Sequence, residues 1–196
     1  MKLILFLLVA GSRFGMAEAP NWSGDYPPCD RHRDLLSREH IDLGVRISTS
    51  SKPLALQFMR AMDFWAEVLD IDWHPVNNQA CSIAVVDGAA KLFDSATTAA
   101  RAQFPDRPAF QGWIAFNPGS RLTGHDLFVI SVHEIGHLLG LPHNPDGSSV
   151  MFFLKLDDSV MLDAADLAAL AARHKLRTGV FENGAVTSAR VRIPDR

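Results

Sequence analysis

A mixed α/β (α+β) fold is predicted for this chain: a twisted sheet packed by helices, then a small irregular C-terminal subdomain, with a cleft between them. Two observations carry that expectation. Hydrophobic residues recur with period 2 and then period 3.6 in the order strand, helix, strands, helix, which suits a sheet covered by helices. The chain has 196 residues, 47% hydrophobic and 21% charged, which is ordinary for a soluble globular protein and enough for one domain with a real core.

The first 17 residues read as a secretory signal. Lys2 supplies a minimal positive region, Leu3-Ile4-Leu5-Phe6-Leu7-Leu8-Val9-Ala10 a short apolar core, and Gly15-Met16-Ala17 small residues for cleavage before Glu18. The run is too short to span a bilayer comfortably, so no stable membrane span is expected; a signal anchor is the alternative. Residues 18–196 then form a single domain, with a sheet subdomain at about 41–143 and a C-terminal subdomain at about 144–196. Residues 18–40 are polar and proline-containing, as in an extended segment. Gly44-Val45-Arg46-Ile47-Ser48 alternates as a first strand. Leu54, Phe58, Ala61, Met62, Trp65, Val68 and Leu69 repeat at helical spacing behind an N-cap at Ser51 and a first-turn Pro53. That stripe is core packing, not a ligand set. Short strands are expected through 72–76 and 81–86, and alanine-rich 89–104 as partly helical, ending before Pro105. Trp113, Ile114, Ala115 and Phe116 read as a strand closed by Asn117-Pro118-Gly119. Thr123 or Gly124 opens a helix whose Leu127, Phe128, Ile130, Val132, Ile135, Leu138 and Leu139 leave little of it polar, so most of it should be buried. A last helix is expected over 163–174, and Asn183-Gly184 suggests a hairpin in the tail.

The buried helix carries His133-Glu134-Ile135-Gly136-His137-Leu138-Leu139-Gly140-Leu141-Pro142-His143. Residues four apart share a helix face, so His133 and His137 can reach one ion. Gly140 lets the chain leave the helix in a left-handed conformation, Pro142 supports a sharp stop, and His143 returns as a third ligand. Three neutral imidazoles and an open fourth position suit a catalytic zinc ion. Glu134, toward the edge of the same face, is placed to accept the proton of a metal-activated water and deliver it to a leaving amine. Five fixed positions at this spacing recur by chance of order once in ~10⁵ chains of this size.

This stretch resembles the extended HExxHxxGxxH motif of the metzincin metallopeptidases, which is followed by a methionine turn. Met151, in Ser148-Ser149-Val150-Met151-Phe152-Phe153, stands where the turn methionine would, at a distance from His143 similar to that in the matrixin branch. Residues 162–170 are similar to the acidic start of the matrixin C-terminal helix. The resemblance implies Met151 as an apolar floor under the histidines and Trp113, Ile114, Ala115 and Phe116 as an edge strand pairing with an extended substrate. It also implies that Phe152 and Phe153 shape an apolar pocket for the residue after the cleaved bond. Asn144 stands where matrixins usually have serine. Phe153 stands where astacins and serralysins carry a tyrosine able to approach zinc. The cysteine-switch propeptide and the His-x-Asp pair of the matrixin structural zinc site have no evident counterpart in the chain.

A formal charge of −3 without a basic block argues against nucleic-acid binding. Cys29 and Cys81 would form one disulfide in an oxidising compartment; the alternative is that Cys29 caps the zinc as an inhibitory ligand. Asn21-Trp22-Ser23 is a glycosylation sequon, used only where the source glycosylates exported proteins. Asp157-Asp158 offers carboxylates to calcium, but adjacent loop carboxylates are ordinarily solvated, so calcium has no further support. His32, His40, His74, His125 and His174 have no spacing that builds a second site and are expected exposed or hydrogen-bonded. The expected function is a secreted zinc-dependent endopeptidase, acting as a monomer on protein or peptide substrates. The alternatives are a non-catalytic secreted zinc-containing binding module and a zinc amidase acting on a non-protein amide.

Overall fold

The computed structural model describes residues 39–77, 81–95, 97–103, 112–152, 161–177 and 191–192. The signal segment, His32, Cys29, Phe153, Asp157-Asp158 and the tail hairpin lie outside them. β1 (Ile41–Ser48) sends Ile41, Leu43 and Val45 into the core. Across Ser51, whose hydroxyl accepts the Leu54 N–H at 3.3 Å, the chain enters α1 (Lys52–Val68) with proline in its first turn. α1 buries Leu54, Phe58, Ala61, Met62, Phe64, Trp65 and Val68 and crosses over to β2 (Ile71–Pro75), which pairs parallel with β1. β3 (Ile83–Asp87) is parallel to β1 on its other side. At its end Asp87 accepts the Ser50 N–H (2.8 Å), the Ser50 hydroxyl (2.8 Å) and the Thr49 hydroxyl (2.5 Å), tying the strand to the entrance of α1.

A short 3-10 turn (Ala90–Leu92) leads to β4 (Ala100–Ala102), then β5 (Trp113–Phe116). The sheet order is β2-β1-β3-β5-β4, with β5 parallel to β3 and β4 antiparallel to β5 at the edge. Two expectations are corrected here. Of residues 89–104, expected as partly helical, only Ala90–Leu92 form a 3-10 turn among the described residues, and Ala100–Ala102 form the edge strand instead; alanine favours helix only weakly, and ladder pairing overrides that preference. Trp113–Phe116 is not an edge: Trp113, Ile114, Ala115 and Phe116 are all buried, and the strand is paired on both sides.

α2 (Gly124–Leu138) packs over α1, with the Trp65 indole N–H donating to the Val132 carbonyl at 3.2 Å inside the contact. It is buried from Leu127 through Leu138 except at His133, as its composition predicts. β6 (Met161–Leu162) pairs antiparallel with β7 (Val191–Arg192), and α3 (Ala164–Arg173) follows β6. α3 and β6 close the far side of the loop that follows α2. Among the described residues, no helix is long and apolar enough to cross a membrane.

Candidate metal centre

Both ends of α2 are built by local chemistry. At its start Thr123 and Asp126 form a reciprocal capping box, each side chain accepting the other's N–H. At its end Gly140 takes φ +91°, the Gly140 N–H bonds the His137 carbonyl (3.0 Å) and the Leu141 N–H bonds the Gly136 carbonyl (2.9 Å). That pair of bonds is a Schellman motif, and it turns the chain back toward the helix face as Gly140 predicts. His143 is thereby brought beside His133 and His137. One nitrogen from each of the three rings lies within 4.8 Å of the others.

The ring orientations follow from hydrogen bonds to carbonyls. His133 Nδ1 lies 2.6 Å from the Val150 oxygen, and His137 Nδ1 lies 2.7 Å from the Leu141 oxygen. A carbonyl can only accept, so each Nδ1 carries the proton and each Nε2 is left with a lone pair. These Nε2 atoms face each other at 3.0 Å, and His137 Nε2 is 3.2 Å from His143 Nε2. Two lone pairs at that distance repel, whereas a cation between them reconciles the arrangement. A tetrahedral zinc ion with Zn–N of about 2.0–2.1 Å would set its ligands about 3.3–3.4 Å apart, so the donor set fits with a small adjustment. Burial lowers the pKa of His133 to about 4 and that of His137 well below the ordinary imidazole value; burial lowers that of His143 as well. The rings are therefore neutral near pH 7, the form that binds metal.

Glu134 is 7% exposed. Burial pushes its pKa up to about 8, against the pull of a hydrogen bond from the Ala102 main chain and the charge of Arg101. A dication beside it would favour the carboxylate. Both opposing groups lie on the edge strand β4, so that strand touches the carboxyl group.

The loop after α2 is held from behind. Met151 is fully buried, its N–H donates to Ser149 Oγ (2.9 Å), and its carbonyl accepts the Asn144 N–H (3.0 Å). Its sulfur packs on the backbone of α2 at Gly136, where a Cβ would lie 2.7 Å from Met151 Sδ and 3.3 Å from Trp65. Asn144 and Ser149 both bond Asp166 on α3. Burial raises the Asp166 pKa, opposed by those two donors.

The sequence-predicted residues thus divide. His133, His137 and His143 converge, Glu134 lies next to the first of them, and Met151 lies under the helix that bears His133 and His137. Phe152 is half-buried just past the turn, and Phe153 lies outside the described residues. Trp113, Ile114, Ala115 and Phe116 are interior. Cys81 is buried and its thiol is not free; Cys29 lies outside the described residues. His40 and His74 are exposed beside Asp70 and Asp42, and His174 is hydrogen-bonded to the Leu139 carbonyl at 2.7 Å. Sequence reasoning missed Ala100–Ala102 and the support given by Gly136. A glycine in a helix interior costs about 1 kcal/mol against alanine, which signals a packing reason there.

A family model described as matrixin, a peptidase family, matches residues 45–174, from β1 through the last helix. Among characterised proteins, macrophage metalloelastase of Rattus norvegicus is 30% identical over 105 residues, 48% of this chain and 22% of that protein. Matrix metalloproteinase-17 of Homo sapiens is 26% identical over 133 residues, 59% of this chain and 22% of that protein. Matrix metalloproteinase-21 of Mus musculus is 33% identical over 100 residues, 50% of this chain and 16% of that protein. The match therefore spans about a fifth of the length of these relatives. The matched residues include the three histidines, Glu134, Met151 and α3, and the chain belongs to the matrixin family.

Proposed function

We propose that the chain is an exported zinc-dependent endopeptidase in which His133, His137 and His143 hold the ion and Glu134 is the general base. The observation that carries this reading is the convergence of the three imidazoles, two of them locked by carbonyl acceptors, next to a buried carboxyl group. A structural zinc site ordinarily closes with four protein ligands, whereas three leave room for chemistry. Zinc held there would supply Lewis acidity, polarising a carbonyl and bringing the pKa of water toward neutrality. Glu134 takes a proton at its carboxylate and returns it to the departing amine. The Ala102 main chain orients that carboxylate, and Arg101 adds positive potential beside it.

β4 is the strand suited to hold an extended peptide. The Ala99 carbonyl accepts the Asn117 N–H just past β5 (2.8 Å), the Gln103 N–H donates to the Trp113 carbonyl of β5 (3.2 Å), and Arg101 pairs with Ala115 between them, so the alternation turns the main chain of Ala100 and Ala102 away from β5. Phe152, with Phe153, would give the cleft apolar character beyond the methionine turn. Export rests on the Lys2-to-Ala17 signal pattern. A Cys29–Cys81 disulfide is supported by the burial of Cys81 and by its thiol not being free.

Incubation of the purified chain with an unfolded protein tests the activity. Wild type loaded with zinc should cut it, and chelation should stop cleavage until zinc is restored. Glu134→Gln should bind zinc and lose about 10²- to 10⁴-fold in rate. A Glu134→Gln variant as fast as wild type would remove Glu134 from the reaction.

A further inference from the structure

Asn144, the residue after the third histidine, is 9% exposed and bonded on every side. Its two side-chain N–H groups serve two different carboxylates: Nδ2 lies 2.9 Å from Asp163 Oδ2 and 2.9 Å from Asp166 Oδ1. Its Oδ1 accepts the Asp146 N–H at 2.9 Å, and its own N–H donates to the Met151 carbonyl. The two carboxylates are themselves fixed, because Asp163 is the N-cap of α3 and Asp166 the third residue of the same capping box. Asp166 also accepts the Ser149 hydroxyl at 2.6 Å, and Ser149 in turn accepts the Met151 N–H. One largely buried polar unit therefore runs from the start of α3 to Asn144, the residue after the third histidine, and to the methionine turn. Val150, inside that turn, supplies the carbonyl that orients His133.

We propose that Asn144 is a positioning residue of the metal centre: by clamping two α3 carboxylates with one amide, it holds His143 within reach of the ion. The proposal rests on the metal-centre reading given above. The chemistry is specific to an amide. Serine has one donor and a shorter reach, so it cannot serve both carboxylates. Aspartate would bring a third carboxylate against two. Only His143 of the three ligands lies off α2, so the helix alone does not set its place.

The test measures the zinc dissociation constant by competition with a chromophoric chelator, and the visible spectrum of the cobalt-substituted chain. The variants are Asn144→Ala, with Asn144→Ser should the first not fold, and Asp87→Asn as a remote destabilising control. Unfolding of each apo chain is followed in parallel. Loss of the clamp should weaken zinc binding about 10- to 100-fold and change the cobalt spectrum, while Asp87→Asn changes neither. Zinc affinity unchanged in the Asn144 variants, or lowered no more than in an equally unstable Asp87→Asn chain, would overturn the proposal. A wild type that binds no zinc overturns the metal-centre reading itself, and this inference with it.

Discussion

The two arms of the metal centre are held by different physics. His133 and His137 stand on a buried helix, one turn apart, with each ring fixed by a main-chain carbonyl. His143 stands on an exposed loop, and its chain neighbour is fixed by side-chain hydrogen bonds to a different helix. The helix arm depends on apolar packing: Trp65 and Met151 sit against its backbone. The loop arm depends on polar groups that must all find partners, since each unpaired buried one would cost about 1–3 kcal/mol. A core defect should therefore weaken the first arm through global stability. A polar defect should weaken the second arm at the site itself.

The largest expected effect falls on the helix arm. Trp65 is fully buried and bonds the Val132 carbonyl one residue before the first ligand, so Trp65→Ala should cost about 3–5 kcal/mol in denaturant unfolding of the apo chain. A loss under about 1 kcal/mol would mean that α2 does not rest on that indole. Gly136→Ala is a smaller and sharper probe. The new methyl group would meet Met151 and Trp65, an overpacking cost of about 1–3 kcal/mol set against up to ~1 kcal/mol of helix propensity. The chain should lose stability and the cobalt spectrum should shift; a variant more stable than wild type would show that Met151 has room to move.

The smallest effect lies away from the centre. Burial pushes the Asp87 pKa up, but the Ser50 N–H and the Thr49 and Ser50 hydroxyls outweigh it and hold the folded value below the ordinary one. A depressed folded pKa gives stability that is complete above the unfolded value of about 3.9 and lost as pH falls through the folded value. Thermal unfolding from about pH 5 downward should thus weaken wild type more than Asp87→Asn, with zinc affinity at neutral pH equal in both. An identical acid response in the two chains would remove Asp87 from the linkage.

The helix arm was legible in the sequence because its determinants are local. Spacing placed His133 and His137 on one face, Gly140 marked the left-handed exit, and Ser51 and Pro53 marked the start of α1; all three appear as expected. The edge strand was not legible. Ala99, Ala100 and Ala102 have no hydrophobic alternation strong enough to announce a strand, and their pairing comes from β5 across a tertiary contact. For the same reason Trp113–Phe116, whose apolar run suits any strand, carried no sign of which side would be covered. The loop arm was half legible: His143 followed from the motif, whereas Asn144 gave no hint that α3 would supply two carboxylates nineteen and twenty-two positions away. Polar networks of that range are set by the fold, not by spacing.

Zinc-edge X-ray absorption of the zinc-loaded wild type counts the donors around the ion. An open three-histidine centre should show one ion with three imidazole nitrogens at about 2.0–2.1 Å and a fourth light-atom donor from solvent. A sulfur shell at about 2.3 Å, as Cys29 would give, or a fourth protein ligand closing the site would contradict an open three-histidine centre.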